Sequence, residues 1–191
     1  MSSKGFRERV LEVYEDGPAL ASSTTQTSLL PASALDYTVG AGLLKIGKAM
    51  AFSLGGRIST LVTTPGTLTL TLRLGSVDVF SSGAMALNTT AQTNVHWEMI
   101  GELVVRAVGP TTVTTFMPKG CKFFSHAVIG SPAIGAGPAG CQMLPYNAAP
   151  AVGSGIDYTI SQAVNVMGTW SVSNAANSIQ LHAGHVDVYT Q

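Results

Sequence analysis

Few residues in this chain have the types and spacing that chemistry needs. His182-Ala183-Gly184-His185 with Asp187 offers metal-ligating groups. On a strand, residues three apart point to opposite faces, so only His185 and Asp187 share a side. Zinc needs three or four ligands, and two do not suffice. His96 and Glu98 form another same-face pair with no third member. Glu98 and Glu102 are four apart, which on a strand separates their α-carbons by about 13 Å at roughly 3.3 Å per residue. Paired-carboxylate glycosidases hold their carboxyls about 5–9.5 Å apart, so these two would have to lean together. Pairing with Arg106 or with a basic residue on a neighbouring strand is the simpler role. Cys121 lies between Lys119 and Lys122, cations that can lower a thiol pKa, but no histidine is placed to serve it. Cys121 and Cys141 read as free thiols or as one disulfide. Gly135-Ala136-Gly137-Pro138-Ala139-Gly140 spells G-x-G-x-x-G, yet Pro138 removes an amide and no helix follows to receive a phosphate. No G-x-S-x-G nucleophile elbow occurs. Asn88-Thr89-Thr90 is a glycosylation sequon in letters alone. No catalytic residue, cofactor-binding residue or metal ligand is therefore assigned, and the chain is not read as an enzyme.

The elements that would position these groups are strands. Residues 67–74 alternate Thr-Leu-Thr-Leu-Thr-Leu-Arg-Leu, which puts Leu68, Leu70, Leu72 and Leu74 on one face. Thr64-Pro65-Gly66 turns the chain into that strand, and residues 77–80 form a short one after it. Residues 95–108 place Trp97, Met99, Leu103 and Val105 at odd positions and His96, Glu98, Glu102 and Arg106 at even ones. Residues 111–117 return the chain, and 123–129 are a further strand. Residues 43–62 read as one bent strand or two, with a bulge or corner at Gly55-Gly56. Residues 157–173 and 178–189 resume the rhythm, with Asn174-Ala175-Ala176-Asn177 between them as a hairpin-like turn. The stretch 130–155 holds six Gly, four Pro and six Ala in 26 residues and predicts a long loop without periodicity. The fold expected is all-β, a jelly-roll-like antiparallel β-sandwich spanning 29–191.

Residues 1–28 have a different character and predict an N-terminal arm with a linker. Seven of the twenty charges fall in 4–16, with Phe6, Val10, Leu11, Val13 and Tyr14 among them. Val10, Val13 and Tyr14 fit a helical stripe, while the β-branched content also allows a strand. Such an arm either frays or docks on a neighbouring subunit. Met1-Ser2-Ser3-Lys4 leads into charge rather than an apolar run, so no secretory leader is expected.

Composition narrows the class of function. Ten basic residues balance ten acidic ones, which removes the basic surplus that a general grip on nucleic acid needs. No run of eighteen apolar residues predicts a membrane span. Only 10% of the chain is charged, while 46% is apolar and mean hydropathy is +0.31. Serine and threonine together number 38. Surface of this kind is commonly covered by a partner or by copies of the same chain, so a homo-oligomer is expected.

A set of segments resembles a recurring kind of tailed-bacteriophage virion protein. They are Gly56-Arg57-Ile58-Ser59-Thr60-Leu61-Val62-Thr63-Thr64-Pro65-Gly66-Thr67-Leu68-Thr69-Leu70, then Leu72-Arg73-Leu74-Gly75 and Ser82-Gly83-Ala84-Met85. Asn94-Val95-His96-Trp97 leading into Leu103-Val104-Val105-Arg106-Ala107-Val108-Gly109 adds to the likeness. The most distinctive piece is Thr169-Trp170-Ser171-Val172-Ser173-Asn174-Ala175-Ala176-Asn177-Ser178-Ile179-Gln180-Leu181-His182. The likeness spans about residues 40–190; many proteins of this kind resemble capsid decoration, or cement, proteins, and others resemble head-fibre or tail components. It implies a non-catalytic β-sandwich on the outer capsid surface of the virion, made in the host cytoplasm. It also implies the major capsid protein as partner and a homotrimer as the working form. The alternative it leaves open is a tail or head-fibre component, with host-glycan binding at the 130–155 loop. On this reading Phe6, Arg7, Arg9, Val10, Leu11 and Tyr14 in the arm, with Tyr146 in the loop, are the expected capsid or intersubunit contacts.

Overall fold

The computed structural model describes residues 6–130, 138–153 and 155–190. Among the described residues thirteen strands follow one another: β1 (Arg7–Val13), β2 (Leu20–Ala21), β3 (Thr27–Ser28), β4 (Thr38–Val39), β5 (Lys48–Thr60), β6 (Thr67–Leu74) and β7 (Val77–Ser81). Then come β8 (Met85–Ala86), β9 (Gln92–Ala107), β10 (Thr115–Gly130), β11 (Pro138–Met143), β12 (Gln162–Trp170) and β13 (Ser178–Thr190). A single 3-10 turn, Ala32–Ala34, is the helical element among the described residues. The larger sheet runs β1-β13-β5-β9-β10-β11, with β2 also on β13. The smaller runs β3-β12-β6-β7, with β4 on β12 and β8 on β6. Every pairing is antiparallel. The protein is the antiparallel β-sandwich that its alternation predicts.

The core lies between the sheets and follows the period of two. Leu68, Leu70, Leu72 and Leu74 from β6 are fully buried, as are Trp97, Met99 and Leu103 from β9. Val164, Val166 and Trp170 meet them from β12. Trp97 stacks on Phe123 with ring centroids 5.9 Å apart. A buried indole N–H needs an acceptor; that of Trp97 faces the carbonyls of Arg57 (3.2 Å) and Gln180 (3.3 Å), and that of Trp170 donates to Leu20 O at 3.0 Å. Gly56 lets the backbones close at this point, because a Cβ there would lie 2.0 Å from Gln180 O.

Two arches stitch the layers. Residues 61–66 carry the chain from β5 in the larger sheet to β6 in the smaller, and 171–177 carry it from β12 to β13 in the opposite direction. The arches lie side by side, since β5 pairs β13 and β6 pairs β12. Asn177, fully buried, ties one to the other. Its Oδ1 accepts from Leu61 N at 2.8 Å and its Nδ2 donates to Pro65 O at 2.9 Å. The turn at Asn174–Asn177 is present, closed by Asn177 N donating to Asn174 O, but it joins two sheets rather than two strands of a hairpin.

Four further expectations are corrected. The expected arm is integrated into the sandwich: β1 is an outer strand of the larger sheet, and residues 20–21 and 27–28 pair in the two sheets. Residues 111–117 and 123–129 belong largely to one strand, β10. The stretch 130–155 is not wholly loop, because Pro138–Met143 pairs with β10; residues 131–137 and 154, and with them the first half of the G-x-G-x-x-G motif, lie outside the described residues, as do Met1–Gly5. At Gly55-Gly56, where a bulge or corner is expected, β5 runs on as one strand, and the bulge lies opposite, in β13 between Leu181 and Ala183. It shifts the alternation by one, so Ile179 and Leu181 are buried before it and Val186 and Val188 after it.

Candidate interaction surfaces

β1 is held on β13 by charge as well as by its ladder. Asp187 on β13 is 1% exposed, a poor place for a carboxylate without partners. Arg9 Nε donates to its Oδ1 at 2.6 Å, and Arg7 Nε to its Oδ2 at 2.8 Å. Arg9 also reaches Glu12 at 2.9 Å. Burial pushes the Asp187 carboxyl up, but the hydrogen bonds and charges of Arg9 and Arg7 outweigh it and hold it below the usual value. The same hydrogen bond raises Arg9.

This arrangement divides the expected contact residues. Val10 and Leu11 face the chain's own core, at 2% and 0% exposure, and are therefore not available to a capsid or a neighbour. Register explains it: Leu11 lies opposite Val186, and a shift between Arg9 and Leu11 turns Val10 inward as well. Arg7 and Arg9 serve Asp187, although both guanidinium groups remain partly open to solvent. Phe6 and Tyr14 are exposed, with the Lys48 ammonium 5.9 Å from the Phe6 ring centroid. Tyr146 is half-buried against the core, and its amide donates to Ser82 O. Burial raises its phenol pKa, which a bond to the Ala86 backbone partly offsets.

Beside this cluster the outer face of the larger sheet forms a shallow trough. Ala49, Ala51, Ser53 and Gly55 give β5 a floor of small residues between longer side chains of β13 and β9. A depression of about 390 Å³ lies over Ala51, Ser53, Ile100, Glu102, Lys119 and His185. Glu102 accepts from the Tyr189 hydroxyl and pairs with Lys119 at 3.2 Å, the cross-strand partner expected of it. Glu98 accepts from Ser53 Oγ at 3.3 Å. The two carboxylates thus have separate partners.

The remaining chemical candidates are also separated. His182 sits at the β13 bulge and bonds Asp16, while Nε2 of His185 is 3.6 Å from Asp187. Among the described residues no three His, Cys, Asp or Glu side chains converge on one point. Both cysteines are free, Cys121 buried and Cys141 exposed. Burial pushes the Cys121 thiol up to about 11, against the depression that its flanking lysines suggest. Lys119 is turned to Glu102 instead.

Sequence reasoning missed an apolar rim. Ile46, Val113 and Ile160 are exposed, and they sit beside the starts of β5, β10 and β12, where β9 also ends. Backbone bonds bind these loops to one another: Gly47 N to Val105 O, Thr114 N to Ile156 O, Gly42 N to Tyr158 O. Thr190 N donates to Phe6 O at the same end, which brings a fourth exposed apolar side chain to the rim. The signal available was each apolar residue's position just outside a strand, but nothing local shows that these ends coincide. Comparison with models of known families, with curated proteins and with solved structures returned no match.

Proposed function

We propose that this chain is a structural protein of a tailed-bacteriophage virion. It decorates the outer capsid, binds the major capsid protein without covalent bonds, and works as a homo-oligomer, most simply a trimer over a local three-fold. The observation that carries the reading is the rim of Phe6, Ile46, Val113 and Ile160 at one end of a charge-poor sandwich. Exposed apolar groups gathered on tied loops favour burial against another protein. The likeness described above, over about residues 40–190, supplies the kind of partner. A cement protein needs no reactive group, only modest contacts repeated by symmetry, whose avidity grows with the number engaged. The fibre alternative has less support, since the Tyr146 ring packs on the core rather than presenting a sugar-stacking face.

The test is co-sedimentation of the purified chain with emptied phage shells. Saturable binding that Ile46→Asp with Ile160→Asp weakens at least about tenfold is expected, with unchanged thermal melting. Absence of binding to the shells, or binding untouched by these changes, overturns the proposal.

A further inference from the structure

The two outer strands of the larger sheet are built differently. β1 carries Arg7, Glu8, Arg9 and Glu12 within seven residues and a register shift, both of which discourage a further strand from pairing. β11 at the other end has no charged residue. Among the described residues no strand pairs with its outer side. Cys141 and Met143 on it are exposed, Met143 at 60%.

The backbone direction follows from one bond. Leu144 N donates to Cys121 O, so Leu144 faces β10, and by alternation Gln142 does too. Cys141 and Met143, opposite Phe124 and Lys122, then turn their N–H and C=O groups outward. Among the described residues no strand takes up these donors and acceptors, and the edge has no charge of its own.

We propose that β11 pairs antiparallel with β11 of a second copy and continues the larger sheet across a two-fold axis. The partner such an edge fits is an extended strand, because only a strand returns donors and acceptors at the same spacing. A neutral edge offers nothing to a charged peptide, whereas it meets its own copy without repulsion. A two-fold at Cys141 makes the contact self-complementary. Outward residues form the hydrogen-bonded pairs, so Cys141 lies opposite its own copy with α-carbons about 5.5 Å apart. The inference rests on the self-association half of the proposed function and adds the strand responsible. On a capsid this contact joins neighbouring decorations rather than building the trimer.

The experiment uses the full chain without capsid. Its mass is followed by sedimentation over a concentration series, and Cys141 is challenged with a short bismaleimide. Cys121, being buried, is spared, and Cys141→Ser serves as the control. Wild type is expected to associate and to give a cross-linked dimer. Met143→Lys puts a charge on the edge and should weaken association at least about tenfold with unchanged melting. Cys141→Pro removes one outward N–H without touching the Leu144–Cys121 bond, and sedimentation should show the same loss. A wild type that stays monomeric overturns the inference, and so does association that both variants leave intact. Loss of shell binding with this association preserved would instead overturn the capsid reading, so the two failures are distinct.

Discussion

Asp187 and its two arginines carry unequal risks, and mutation can expose the difference. Removing both cations, Arg7→Ala with Arg9→Ala, strips a carboxylate that is 1% exposed beneath them of both its donors and its cover. An uncompensated buried charge costs about 3–5 kcal/mol. Water reaching the uncovered carboxylate offsets part of that, so about 3 kcal/mol, the low end, is expected. At about 2–4 °C per kcal/mol in a chain of this size, melting should fall by about 6–12 °C. Asp187→Asn leaves the cations instead, and their side chains, 60% and 39% exposed, return to water. That loss should be about 1–1.5 kcal/mol, the ordinary worth of hydrogen bonds with charged partners less solvent screening. Adding Asp187→Asn to the double arginine variant should then recover about 1–2 kcal/mol, because it removes the stranded charge. Thermal and urea unfolding of the four proteins measures all of this. If Asp187→Asn is as damaging as the double variant, or the triple is less stable than the double, burial of the carboxylate is not what the arginines offset.

Acid should act through the same group. Its folded pKa is below the ordinary value of 3.8, so its stabilisation is complete above that value and is lost as pH falls through the folded pKa. The melting difference between wild type and Asp187→Asn should be flat from pH 7 to about 4 and shrink below it. Asn177→Ala breaks both bonds between the arches and should cost about 2–3 kcal/mol in urea unfolding, at m unchanged. Gly56→Ala forces a methyl into Gln180 O and should lower soluble yield and melting more than Gly40→Ala, where the added carbon meets nothing within 4 Å. A maleimide at pH 7.5 should label one thiol per native chain and two after unfolding, since Cys121 is buried with its pKa near 11.

Local pattern sufficed where a strand's own side chains decide its fate. The leucines of β6 and the odd positions of β9 are buried as their alternation requires, and Thr67–Leu74 ends where it was expected. It failed where distant partners decide. Arg7, Glu8 and Arg9 suit a solvated arm until Asp187, 180 positions after Arg7, is placed beside them. Pro138–Met143 has no alternation of its own, and its strand conformation comes from the neighbouring β10. Asn174–Asn177 has the residues of a tight turn, yet a turn does not specify which sheet receives the strand after it. The glycines at 55 and 56 mark where backbones crowd, but crowding does not say which strand takes the bulge. Of the expected contacts, Phe6 and Tyr14 are exposed, while Val10 and Leu11 were legible as apolar but not as inward.

The place of β13 sets a condition on how the protein can be made. β13, which leaves the ribosome after every other described strand, sits between β1 and β5, which leave it well before. Until residue 178 and beyond emerge, β1 has no neighbour in the larger sheet and β5 has only β9 beside it. Such long-range pairing closes slowly, and a chain released before β13 would present a raw sheet edge to its neighbours.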